Sequence, residues 1–163
     1  MKSLILILLV ITFNTIYIES KPKTIPELTL EEAELILGES CYLKESTQTS
    51  SNGIQKFKST FLTNSSVGSS KVIALDYMFE SYSDEIDAKK MFESFKLSNE
   101  TFDGFELMTN LGDEAFFHTD KQNFNLVIAR KKNKMMRIKI NKITKKTSLA
   151  ELKKISGEIV TRI

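Results

Sequence analysis

Apolar residues recur at every second position in two consecutive blocks of this chain, and segments with helical spacing stand before, between and after them. In the first block Ile73, Leu75, Tyr77 and Phe79 alternate with Ala74, Asp76 and Glu80. In the second, Met136, Ile138 and Ile140 alternate with Arg137, Lys139 and Asn141, which predicts one core face and one solvent face. Strands that follow one another through short turns pair antiparallel. The expectation is an α+β fold: an antiparallel sheet of about six to seven strands, with three helices packed mainly on one face.

Local signals place the elements. Thr29 and Glu32 make a capping box ahead of Leu30, Ala33, Ile36 and Leu37, and Gly38 supplies a stop. Cys41 to Lys44 and Lys56 to Leu62 read as strands, with turns at Ser50 to Gly53 and Asn64 to Gly68. A stronger strand covers Lys71 to Tyr82. Ser83-Asp84-Glu85 caps a second helix, whose stripe is Ala88, Met91, Phe92 and Phe95. Phe105 to Met108, Ala115 to His118, Phe124 to Ala129 and Met135 to Lys142 read as further strands, the last two as a hairpin about Lys131 to Lys134. Ser148 caps a closing helix with Leu149, Leu152, Ile155, Ile159 and Ile163 on one side.

Residues 1–20 read as a signal peptide. Lys2 precedes the unbroken aliphatic run Leu4 to Ile11, and apolar character continues to Ile18 before Glu19 and Ser20. The stretch is about 15 residues, short of the roughly 20 that span a bilayer, so an export signal suits it better than an uncleaved anchor. Residues 21–28 then read as a linker and 29–163 as a single domain, long enough to bury a core without a disulfide. Cys41 stands alone and well beyond the signal, so neither an internal bridge nor a lipid anchor is expected. As a lone thiol it reads as a small buried apolar residue. The expected location is secreted or periplasmic.

No motif for chemistry emerges. The single histidine, His118, and the single cysteine, Cys41, are the only partners for a thiolate dyad, and nothing brings them together. Asp113, Glu114 and Asp120 flank His118, but one histidine among loop carboxylates is a poor transition-metal set, and the acids are too few for a calcium loop. The glycines are isolated, so no phosphate-cradling loop exists. Neither a cofactor nor a metal is expected. Asn64-Ser65-Ser66 and Asn99-Glu100-Thr101 match the glycosylation sequon.

Charge is the distinctive feature. The chain carries a formal net charge of only +2, yet Arg130 to Lys146 holds nine basic residues and no acid, while carboxylates concentrate between Asp76 and Glu114. One reading makes Arg130, Lys131, Lys132, Lys134, Arg137 and Lys139 an anion-binding face for a lipid headgroup, an anionic polysaccharide or an acidic protein. The other makes them solvating residues that discourage strand-to-strand association. Nucleic acid is not expected as a partner, because the hairpin's solvent face offers no stacking aromatics.

The helix Leu30 to Gly38, the segment Leu111-Gly112-Asp113-Glu114-Ala115-Phe116, the helix from Asp87-Ala88 to Phe95 and the closing helix together resemble small uncharacterised secreted or lipoprotein domains of bacterial envelopes. The resemblance implies an α+β fold outside the cytoplasm and transfers no catalytic residue. The chain departs from the lipoprotein members in lacking their lipid-acceptor cysteine. The functional expectation is an exported, non-enzymatic binding or interaction module for an anionic ligand or acidic partner. The alternatives are a small secreted hydrolase using carboxylates, and a secreted inhibitor or immunity-like protein.

Overall fold

The computed structural model describes residues 25–66 and 72–163, so the signal reading of residues 1–20 lies outside the described residues. The elements run α1 (Leu30–Leu37), β1 (Cys41–Ser51), β2 (Ile54–Thr63), a 3-10 turn (Asn64–Ser66), β3 (Ala74–Ser81), α2 (Glu85–Leu97), β4 (Phe105–Leu107), β5 (Glu114–Thr119), β6 (Asn125–Lys131), β7 (Lys134–Ile140) and α3 (Leu149–Arg162). The seven strands form one sheet in the order β1-β2-β3-β7-β6-β5-β4, and every neighbouring pair is antiparallel. Two meanders, β1 to β3 and β4 to β7, meet where β3 pairs with β7, from Leu75 opposite Ile140 to Ser81 opposite Lys134. The expected α+β fold is present, with its three helices.

The helices start where the caps stand. Thr29 accepts from the Glu32 backbone N–H and Glu32 returns the bond to Thr29, completing the predicted capping box. Asp84 and Ser148 each accept from the N–H three residues on. Gly38 ends α1 at φ 71, where a Cβ would come within 2.0 Å of the Lys146 carbonyl oxygen. Both the left-handed backbone and that close approach require glycine.

α1 and α3 lie together on one face. Ala33, Ile36 and Leu37 join Leu152, Ile155 and Ile159 over Phe61, Leu75, Tyr77, Phe117, Val127, Met136 and Ile138. α2 takes the opposite face, setting Ala88 and Phe92 on Phe116, Ile128 and Met135. This corrects the expectation of one core and one solvent face for the last hairpin. Met135 and Met136 are neighbours of opposite parity, and both are fully buried. Strands sandwiched between helices lose their polar face. Two helices on one side and one on the other still satisfy the expected packing mainly on one face.

Two further differences are local. β1 extends to Ser51 although all its residues after Cys41 are exposed, because pairing with β2 and not burial sustains it. The linker reading of residues 21–28 is too long at its end: Pro26 and Leu28 are buried, and the Tyr77 hydroxyl donates to the Pro26 carbonyl. Among the described residues no helix is long and apolar enough to cross a membrane.

Cys41 is free and buried, as its sequence context suggests. Burial, aided by the Glu34 carboxylate, pushes its thiol up to about 11. At pH 8 only about one thiol in a thousand is then ionised. Native protein is expected to react with a disulfide reagent at pH 8 far more slowly than urea-unfolded protein, and a native rate equal to the unfolded one would contradict this placement.

Candidate functional site

The six basic residues do not share a face. Strand alternation sends Arg130 and Arg137 to the α2 side and Lys131 to the α3 side. Arg130 is buried at the junction of β5, β6 and α2. Its Nε donates to Glu114 at 2.7 Å, and one Nη donates to Asp113 at 3.1 Å, Glu85 at 3.2 Å and the Lys132 carbonyl at 2.9 Å. Burial opposes the charge, but Glu114, Asp113 and Glu85 more than offset it and raise the guanidinium above its ordinary range. Asp113 also accepts the Lys132 N–H at 2.6 Å. Two of the three acids that flank His118 in sequence, Asp113 and Glu114, therefore serve this arginine.

Arg137 is similarly engaged. It pairs with Glu80 at 3.3 Å and lies over the Phe95 ring at 4.6 Å, fastening α2 to the sheet. Glu80 is itself buried and also takes Lys56 at 2.9 Å and the Tyr82 hydroxyl at 3.1 Å. Lys131 donates to the Val160 carbonyl at 3.0 Å, in the last turn of α3. Lys132 sits in the β6–β7 turn at φ 54, and Lys134 opens β7. Lys139 is exposed near the far end of β7, roughly 20 Å along the hairpin from Lys132. The sequence run thus becomes a clamp, a helix fastener and separated surface lysines. Phe95 of α2 lies against Arg137, and Phe124 lies near Lys139.

A cleft of about 690 Å³ opens at the other end of β5, lined by Phe102, Asp103, Gly104, His118, Thr119, Asp120, Lys121 and Phe124. That volume suits a small molecule. His118, near the end of β5, has its ring nearly parallel to Phe102 at 6.1 Å and edge-on to Phe124 at 5.0 Å. Only 6% of the histidine is exposed, whereas Phe102 is 61% exposed. Lys139 stands 5.9 Å from the Phe124 ring.

The walls are fixed by backbone geometry. Gly104, at φ 85, accepts the Thr119 N–H at 3.2 Å, and a Cβ there would meet the Thr119 carbonyl oxygen at 1.9 Å. Asp120 caps the tight turn into β6, accepting from the backbone N–H groups of Gln122, Asn123 and Phe124 and from the Asn123 side chain. The Asn123 side-chain bond leads these interactions, which outweigh desolvation and hold the Asp120 carboxyl well below the usual carboxylate range. Asp120 is therefore an ionised turn residue with its acceptors occupied. The Thr119 hydroxyl donates to the Phe124 carbonyl at 2.7 Å and completes the loop.

Cys41 and His118 are five strand steps apart in the sheet, roughly 24 Å, which rules out a dyad. Among the described residues no three His, Cys, Asp or Glu side chains converge on a possible metal position. No family model, curated protein or solved structure matches the chain. Sequence reasoning missed the cleft because its rings come from separated segments. Phe102 follows α2, and Phe124 stands beyond the turn that Asp120 builds. A signal was available: Phe102, His118 and Phe124 are aromatic residues at the edges of turn-rich stretches, where core packing does not require them.

Proposed function

We propose that this protein is an exported, non-enzymatic binding module that seats a small anionic ligand in the cleft of Phe102, His118 and Phe124. The carrying observation is the exposed Phe102 ring beside a buried histidine in a cleft with rigid walls. Such a surface binds flat apolar groups without reorganising. Lys121 at the lip and Lys139 beside Phe124 set positive charge against the two carboxylates of the lining, of which Asp120 has its acceptors taken up by its own turn. Export is supported by the apolar stretch Leu4 to Ile18 with Lys2 before it and Ser20 after it, and by the resemblance to envelope domains.

The carboxylate-hydrolase reading finds less support. Of the cleft acids, Asp103 and Asp120 are both exposed, and Asp120 is fully engaged in its turn. The buried carboxylate Glu80 lies in ion pairs on the sheet, away from the cleft lining.

The fluorescent ring anion 1-anilinonaphthalene-8-sulfonate is expected to bind the folded protein, and Phe102→Ala to weaken it about tenfold without lowering the melting temperature. Failure of every anionic ring probe to bind, or indifference to Phe102→Ala, would defeat the cleft. N-terminal sequencing tests the export half: protein recovered outside the producing cells should begin beyond Ser20, and intact Met1 on protein retained in the cytosol would defeat it.

A further inference from the structure

The cleft's histidine is held in one tautomer by a relay that begins in α2. The Phe95 carbonyl accepts from Asn99 Nδ2 at 2.7 Å, and a carbonyl can only accept, so the donor end of the Asn99 amide is fixed. The other end, Oδ1, therefore faces His118 Nδ1 at 2.7 Å. An amide oxygen can also only accept, which puts the histidine proton on Nδ1. In the neutral ring the lone pair then resides on Nε2.

Nε2 makes no hydrogen bond to any described residue. It is also absent from the sealed polar atoms without partners, the only one of which among the described residues is the Ser59 hydroxyl oxygen. Solvent thus reaches this atom although the residue is 6% exposed, and the cleft is the opening that His118 lines. The ring stands between Phe102, nearly parallel to it, and Phe124, nearly perpendicular. A buried acceptor held in a fixed direction and left open to a cleft marks the place for a ligand's donor.

We infer that the natural ligand is a ring compound carrying both a hydroxyl and a carboxylate, with the hydroxyl donating to His118 Nε2. This rests on the binding-module reading and adds the donor to it. The ring's apolar face lies against the aromatic wall, the hydroxyl satisfies the lone pair, and the carboxylate stays at the lip beside Lys121. An aromatic hydroxy acid and a uronic acid sugar share that chemistry. Asn99 is a positioning residue, since it acts through His118 and does not line the cleft. A site built around a buried acceptor discriminates sharply against a ligand that cannot donate, because the acceptor is then left dry and unpaired.

The chain's single histidine makes the test direct, since one imidazole contributes to long-range proton–nitrogen NMR spectra. With the ring neutral, the free protein should show the proton on Nδ1. Titration with 4-hydroxybenzoate or glucuronate should shift the Nε2 resonance, and at least one should bind about tenfold tighter than its counterpart, benzoate or cyclohexanecarboxylate. Which of them does so identifies the source class. Asn99→Ala should erase the preference and leave benzoate affinity within about twofold, whereas Asn99→Asp, which keeps an acceptor before Nδ1, should retain it. A proton found on Nε2 in the free wild-type protein overturns the inference. So do hydroxy acids that bind no better than their hydroxyl-free counterparts; benzoate binding would then leave the anion-binding module standing, while failure of every probe ends both.

Discussion

Arg130→Ala is expected to lower the unfolding free energy by about 3 kcal/mol, the cost typical of removing one partner from a buried charge network. The guanidinium side chain is 5% exposed and serves Glu85, Asp113, Glu114 and the Lys132 carbonyl at once. These acceptors sit on α2, the β4–β5 turn, β5 and the β6–β7 turn, so one side chain ties α2 to the end of the β5–β6–β7 ladder, to which no backbone pairing joins it. The carboxylates are themselves 28% to 61% exposed and regain water when the arginine goes, which keeps the loss below that of a fully buried pair. For a domain of this size the melting temperature should fall by roughly 10 °C. Glu114→Gln should cost only about 1 kcal/mol, because an amide oxygen still accepts from Nε. Urea titrations of the variants decide the matter, and an Arg130→Ala loss under about 1 kcal/mol would show that the network is ornamental. A ligand-binding assay on Arg130 variants would report this instability and not an anion site.

Phe116→Ala should be costlier still, by about 4 kcal/mol. Its ring is fully buried between α2 and the sheet, 5.7 Å from Phe92 and 5.2 Å from Phe105. Removing it opens a cavity that β5 and β6 cannot close, since both are held in register on both sides. The loss should be local as well as global: amide exchange in α2 should speed up far more than in α3, which packs on the other face. Equal acceleration in both helices would mean that the two faces form one cooperative core.

The fold was legible to the extent that it is written in periodicity and caps. Thr29, Asp84 and Ser148 begin the helices where their side chains predict, and the alternation of Leu75, Tyr77 and Phe79 gives the core face of β3. What alternation could not reveal was the destination of the second face. Met135, Ile128 and Phe116 share a parity that becomes visible only when the register aligns three strands, and that shared parity is the seat of α2. The candidate site was harder to read for a related reason. Arg130 meets Glu85 across 45 residues of sequence, so a map of charge along the chain shows separation where the folded molecule has neutralisation. In sequence His118 stands out as the single histidine, with Cys41 and the flanking acids as its only candidate partners. Its significance comes from Asn99, nineteen positions away and conspicuous in sequence only as part of a sequon.

The central seam between β3 and β7 also carries a kinetic implication. Leu75 must find Ile140, and Ser81 must find Lys134, before either meander has a complete hydrophobic neighbour. Closing so long an intervening segment is an entropic search made ahead of most of its reward, and sheets dominated by distant pairings form slowly. The chain should therefore fold on a timescale of milliseconds to seconds, with two half-sheets awaiting each other and their bare strand edges exposed to strangers in the meantime.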